Sequence, residues 1–110
     1  MRDATYNGWA NYETWLVNLW MDNEQGSQEF FREEAKEIYD KETASEFFTR
    51  AECAATRFGD WLMEHHEDNR PEMPGVYGDL LGGALSAVNW EEIARHHIDA
   101  VLEEETHADG

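Results

Sequence analysis

The stretch from Tyr6 to Asn23, YNGWANYETWLVNLWMDN, decides the fold. It holds three of the chain's five tryptophans and two of its four tyrosines. Asn11 suits an N-cap. From there Tyr12, Trp15, Leu16, Leu19 and Trp20 recur at i, i+3, i+4, i+7 and i+8, the period of a helix and not of a strand. Asp22-Asn23 and Gly26 end it. Such aromatic density on one helix predicts the centre of the core, and Trp9, just before the cap, is placed to fold back on that helix. Asn7-Gly8 is a turn signal without a hairpin partner, so Tyr6 to Trp9 reads as extended.

Working outward, the same period recurs. A second helix is expected from Ser27, with Phe31, Ala35 and Ile38 as its apolar stripe, helped by Phe30 and Tyr39. Its other face carries Glu29, Glu33 and Glu37 in four-residue steps, with Lys41 next in the row. Arg32 and Lys36 lie alongside, so part of that charge is internally paired. Thr43-Ala-Ser-Glu46 matches a capping box and predicts the start of a third helix. Ala44, Phe47, Phe48, Ala51, Ala55, Phe58 and Leu62 then keep helical period, with Trp61 flanking. Gly59 inside that run is unfavourable by roughly 1 kcal/mol against alanine, which a close helix crossing or a kink would explain. Residues 67–77, with both prolines, read as a loop. Asp79 is placed to cap a short helix through Leu80, Leu81, Ala84, Leu85 and Val88, weakened by Gly82-Gly83. Asn89-Trp-Glu-Glu92 resembles a capping box for a last helix, whose stripe is Trp90, Ile93, Ala94, His97, Ile98, Val101 and Leu102. The expectation is an all-α, single-domain bundle of four to five helices over residues 1–110, with 1–8 and 104–110 frayed.

Composition bounds the rest. The chain has 110 residues, 41% of them hydrophobic, enough for one modest core. No apolar run approaches the ~18–20 residues of a membrane span, and the start MRDATYNGW lacks a secretory signal's apolar stretch. A cytoplasmic protein is expected. Cys53 stands alone, which excludes an internal disulfide and a cysteine-based metal site.

Two segments carry a resemblance. NGWANYETWLVNLWMDN (7–23) is similar to the opening of a family of small proteins found in phages, plasmids and other mobile elements, including haloarchaeal members. VNWEEIARHHID (88–99) resembles that family's closing helix. Together they cover about a third of the chain, and their signature residues are mostly apolar. The resemblance implies a mobile-element setting and no particular chemistry.

Catalytic signals are weak. His65-His66 and His96-His97, with Glu92 one turn before His96, invite a metal reading, but adjacent helix residues point ~100° apart and rarely share an ion. Neither HExxH nor paired Glu-x-x-His motifs occur. His97 on the apolar stripe reads as a hydrogen-bonded core residue and His96 as solvent-facing. Protonated His65 and His66 would favour a helix C-terminus. No nucleophile elbow, phosphate-cradling loop or triad spacing is present. The reading is of a non-enzyme that needs no cofactor or metal.

Charge is the second strong feature. Twenty-five acids against eight bases give −17. Residues 1–55 carry 12 acids and 5 bases, and residues 56–110 carry 13 and 3, so the excess is not one acidic tail. A surface of that sign repels nucleic acid and anionic membranes and attracts proteins with basic grooves. Carboxylates at i and i+4 of a helix sit ~6 Å apart along its axis. Duplex DNA presents a charge every ~3.4 Å per strand. The candidate partner-binding residues are therefore Glu29, Glu33 and Glu37, then Glu64, Glu67 and Asp68, and, as a fallback surface, the region from Glu103 through Glu104 and Glu105 to Asp109. The expected function is inhibition of a host nucleic-acid-targeting defence system, anti-CRISPR or anti-restriction, by an acidic surface that mimics nucleic acid and fills the target's basic groove. The alternative is a non-catalytic interaction or structural module whose acidity serves solubility or high salt. Two lysines against six arginines favours it, whereas 17 glutamates to 8 aspartates does not single out halophily. A Phe47/Phe48 or Trp15/Trp20 face left exposed would equally build a homodimer.

Overall fold

Asn11 does start the first helix. Its side-chain oxygen accepts from the Thr14 backbone N–H at 2.9 Å, and α1 runs over Tyr12–Asn23. The computed structural model describes residues 6–109, excluding the side chains of Gln25 and 105–109. Five helices follow one another among them: α1, α2 (Gln25–Lys41), α3 (Arg50–Asn69), α4 (Val76–Ala87) and α5 (Trp90–Asp109). No strand is present among the described residues; only an isolated bridge pairs Tyr6 with Trp9. The protein is an all-α single domain.

The core is built by α3 against α5, closed on one side by α2. Phe58 and Leu62 of α3 and Ile93, Ile98 and Val101 of α5 are fully buried, and Phe31, Ala35 and Tyr39 of α2 seal them. Gly59 marks the crossing of α3 and α5. A Cβ there would lie 3.2 Å from the Glu91 Cα and 3.4 Å from the Trp90 carbonyl carbon. The close-crossing reading of that glycine holds.

The aromatic segment is not the centre of this core. Only Thr14, Asn18 and Met21 of α1 are buried; Tyr12 and Trp20 are exposed, and Trp15, Leu16 and Leu19 are half-buried. The reason is hydrogen bonding. The face of α1 turned to α5 is polar and fully satisfied. The Asn89 backbone N–H donates to the Thr14 hydroxyl (2.9 Å), Asn11 Nδ2 donates to the Ala87 carbonyl (2.7 Å), and the Ala10 N–H donates to the Glu92 carboxylate (2.9 Å). Asn89 caps α5 through Glu92 N–H as expected, but Glu92 does not return the bond to Asn89; it holds the entry to α1 instead. The Asn7-Gly8 turn does find its partner, because Tyr6 and Trp9 exchange backbone hydrogen bonds at 2.7 and 2.8 Å across it. Both turn residues have positive φ, the geometry of a two-residue hairpin turn. Tyr6, rather than Trp9, then folds onto α1, 5.3 Å from Tyr12 and 5.1 Å from Trp15, while Trp9 meets His96 on α5.

Three helix starts also differ from the sequence expectation. α2 begins at Gln25, not Ser27, after a single connecting residue, so Gly26 lies inside its first turn. α3 begins at Arg50. Its capping box is Thr49 with Glu52, not Thr43 with Glu46, and Phe47 and Phe48 sit on an exposed loop. Starting there places the Arg50 guanidinium 4.0 Å over the Tyr39 ring and its Nε on the Tyr39 carbonyl, which fastens α3 to the end of α2. α3 continues to Asn69, so the loop is shorter than expected, and α4 starts after Gly75, whose positive φ a side chain would resist, not at Asp79.

Candidate protein-binding surface

The surface worth testing is the outer side of the α2–α3 pair. Phe30 and Phe31 are neighbours on α2 and cannot both face the core. Phe31 is buried, and Phe30 is left at the rim. There Phe30 lies 5.8 Å from Trp61 and 5.5 Å from His65, and His65 stacks on Trp61 at 5.0 Å with the rings nearly parallel. This aromatic seam zips α2 to α3 and fixes their register.

The seam also sets which acids come together. Glu29 and Glu33 flank Phe30 on α2; Glu64 and Asp68 flank His65 on α3; all four are exposed. Among the described residues none of the four takes part in an ion pair. The seam thus runs between two acidic rows. Glu37 is exposed too, but it pairs with Lys41 at 2.8 Å, and Lys36 pairs with Asp40 at 2.8 Å, so the far end of the α2 row is partly neutralised. Glu67 approaches Arg70 at 3.8 Å.

The fallback surface separates from this face. Glu104 is drawn to Arg32 of α2 at 3.3 Å, on the side of α2 that faces α5. Glu103, exposed, projects from α5 about 100° away from Glu104. The side chain of Glu105 lies outside the described residues, as do those that follow it. The arrangement therefore unites the α2 and α3 candidates and leaves Glu103 and Glu104 apart. The sequence reading missed Phe30, Trp61 and His65 as parts of this face, although the Phe30-Phe31 pair signalled that one ring had to lie outside the core.

His66 and His97 are packed between helices. His97 Nε2 lies 3.1 Å from Asn18 Oδ1, and Asn18 Nδ2 donates to Asp22 at 3.0 Å. Burial pushes the His97 pKa below the ordinary imidazole value, with the nearby Asp22 carboxylate pulling the other way. His66 stacks on Phe31, and in the tautomer that protonates Nδ1 it donates to the Leu62 carbonyl at 2.9 Å. Burial lowers its pKa as well, so His66 resists the charge expected of it at the helix end. His96 is exposed. Among the described residues no group of three His, Cys, Asp or Glu side chains is placed to hold a metal ion, and no helix is long and apolar enough to cross a membrane.

Fold and surface together define a small all-α domain with an acidic, aromatic-seamed face. The chain belongs to a family of unknown function (DUF7249), whose model matches residues 2–108. No curated protein and no solved structure matches it.

Proposed function

We propose that this protein is a stoichiometric inhibitor carried by a phage or other mobile element, and that it blocks a host nucleic-acid-targeting defence complex by occupying its basic groove. The observation that carries the reading is the α2–α3 face. Glu29, Glu33, Glu64 and Asp68 are solvent-exposed without a cationic partner among the described residues, on a chain of net −17. Opposed acidic rows beside the exposed Phe30 ring and the half-buried Trp61 and His65 rings are complementary to a groove that holds a phosphate backbone and stacked bases. Such a protein acts by binding and needs no cofactor. The test is biological. Expression in a host with an active restriction or CRISPR system is expected to raise the efficiency of phage plating or plasmid entry. A quadruple Glu29→Lys, Glu33→Lys, Glu64→Lys, Asp68→Lys variant with unchanged helicity is expected to lose that effect. Equal activity of the variant would sink the mimicry mechanism.

A second reading rests on a different observation. Acids also line the outer sides of α5 and the 42–49 loop, a distribution that serves solubility in molar salt as well as binding. A protein made for that role is expected to unfold as salt is removed, and to show no partner at any ionic strength.

A further inference from the structure

We propose that the outward face of α4 is a self-association surface, through which two copies of this chain pair about a two-fold axis. α4, VYGDLLGGALSA, carries a single charge, Asp79, and none of its residues is buried. It is apolar on both sides. Leu81 and Leu85 are half-buried beneath it, yet Val76, Leu80, Gly83 and Ala87, at i, i+4, i+7 and i+11, form a second helical stripe that is exposed throughout. Val76, Tyr77 and Leu80 are 61%, 66% and 63% exposed. Arg70, just after α3, reaches Gly82.

Area and charge both select the occupant. A fully buried aromatic side chain covers ~150–250 Å², so the exposed parts of Tyr77, Val76 and Leu80 amount to roughly 300 Å², about two-fifths of the ~800 Å² that each partner gives to a standard interface and enough to seed a weak dimer. A basic partner would be drawn to the acidic faces, not here. A second copy of a −17 chain can approach only where charge is sparse, and this stripe presents one acid. Gly83 lies in the stripe with open space where a Cβ would stand, so a facing helix can pack close to its backbone.

Sedimentation equilibrium of the full chain, up to about 0.5 mM and at about 0.15 M and about 1 M salt, tests this. The expected result is a dimer whose affinity rises with salt, because screening relieves repulsion between two anionic copies. Leu80→Glu and Tyr77→Glu, each present twice in an isologous contact, are expected to weaken it at least about tenfold with circular dichroism unchanged. A wild-type protein that stays monomeric at the highest concentration in both salts would overturn the proposal. So would a dimer indifferent to both substitutions, which would put the contact elsewhere, as on the Phe47–Phe48 loop.

Discussion

At the scale of single residues, space and hydrogen bonding make opposite demands at chemically similar positions. Gly59 and Gly26 both lie inside helices. Alanine at Gly59 would press on the α5 backbone, which the Asn89–Thr14 and Glu92–Ala10 bonds hold in place. Gly59→Ala is expected to destabilise by about 1–3 kcal/mol, overpacking outweighing helix propensity. At Gly26 a Cβ meets nothing, and Gly26→Ala is expected to stabilise by about 0.4–1 kcal/mol. Urea midpoints read both. Thr14→Val keeps the shape of a fully buried side chain but strips the Asn89 N–H of its acceptor, an expected loss of about 1–3 kcal/mol. His66 adds a pH dependence. Its folded pKa is lowered by burial, while the unfolded value is about 6.5. The unfolded chain therefore takes a proton that the folded chain refuses. The stability involved is fully present above the unfolded pKa and is lost as pH falls through the window beneath it. His66→Phe is expected to flatten that decline, so wild type and variant should run parallel above neutrality and diverge below it. Parallel curves throughout would show that His66 is not protected from protons.

At the scale of elements, helix periods were legible in the sequence and helix partners were not. The stripes of α3 and α5 were read correctly at Ala55, Phe58, Leu62, Ile93, Ile98 and Val101, because there the apolar face is also the buried one. α1 broke that rule. Beside Met21 its buried residues are Thr14 and Asn18, whose hydrogen-bond partners are Asn89, at the entry to α5, and His97 of α5, and no local pattern reveals a partner some 75 residues away. The two S/T-x-x-E boxes, Thr43–Glu46 and Thr49–Glu52, are equivalent as strings. What separates them is Arg50, which docks on Tyr39 only if α3 starts after Thr49. Thr49→Ala is expected to cost about 1 kcal/mol, and Thr43→Ala close to nothing; equal effects would contradict the assigned helix start. The acidic rows on α2 and α3 were legible as rows. That they lie on one face was not, because the Phe30–Trp61–His65 seam that joins them is tertiary.

For the whole molecule, charge is the dominant quantity. A net −17 on 110 residues opposes folding through self-repulsion, and the ion pairs Arg32–Glu104, Arg57–Glu42 and Arg95–Glu91 relieve it only locally on an exposed surface. Thermal stability is expected to rise as salt increases toward about 0.15 M, where the Debye length falls to about 8 Å. Binding to a basic groove must move the other way, since the same ions screen the attraction. Under the proposed function, helix packing and partner binding are expected to respond to salt with opposite signs. The measurement that tests the central claim most directly is affinity capture from the lysate of a defence-carrying host, with elution first by duplex DNA and then by stepped salt. The account predicts that a nucleic-acid-binding defence component is held by the wild type, displaced by DNA and moderate salt, and absent from the eluate of the Glu29, Glu33, Glu64 and Asp68 charge-reversal variant. A component retained equally by that variant, or one that DNA fails to displace, would contradict it.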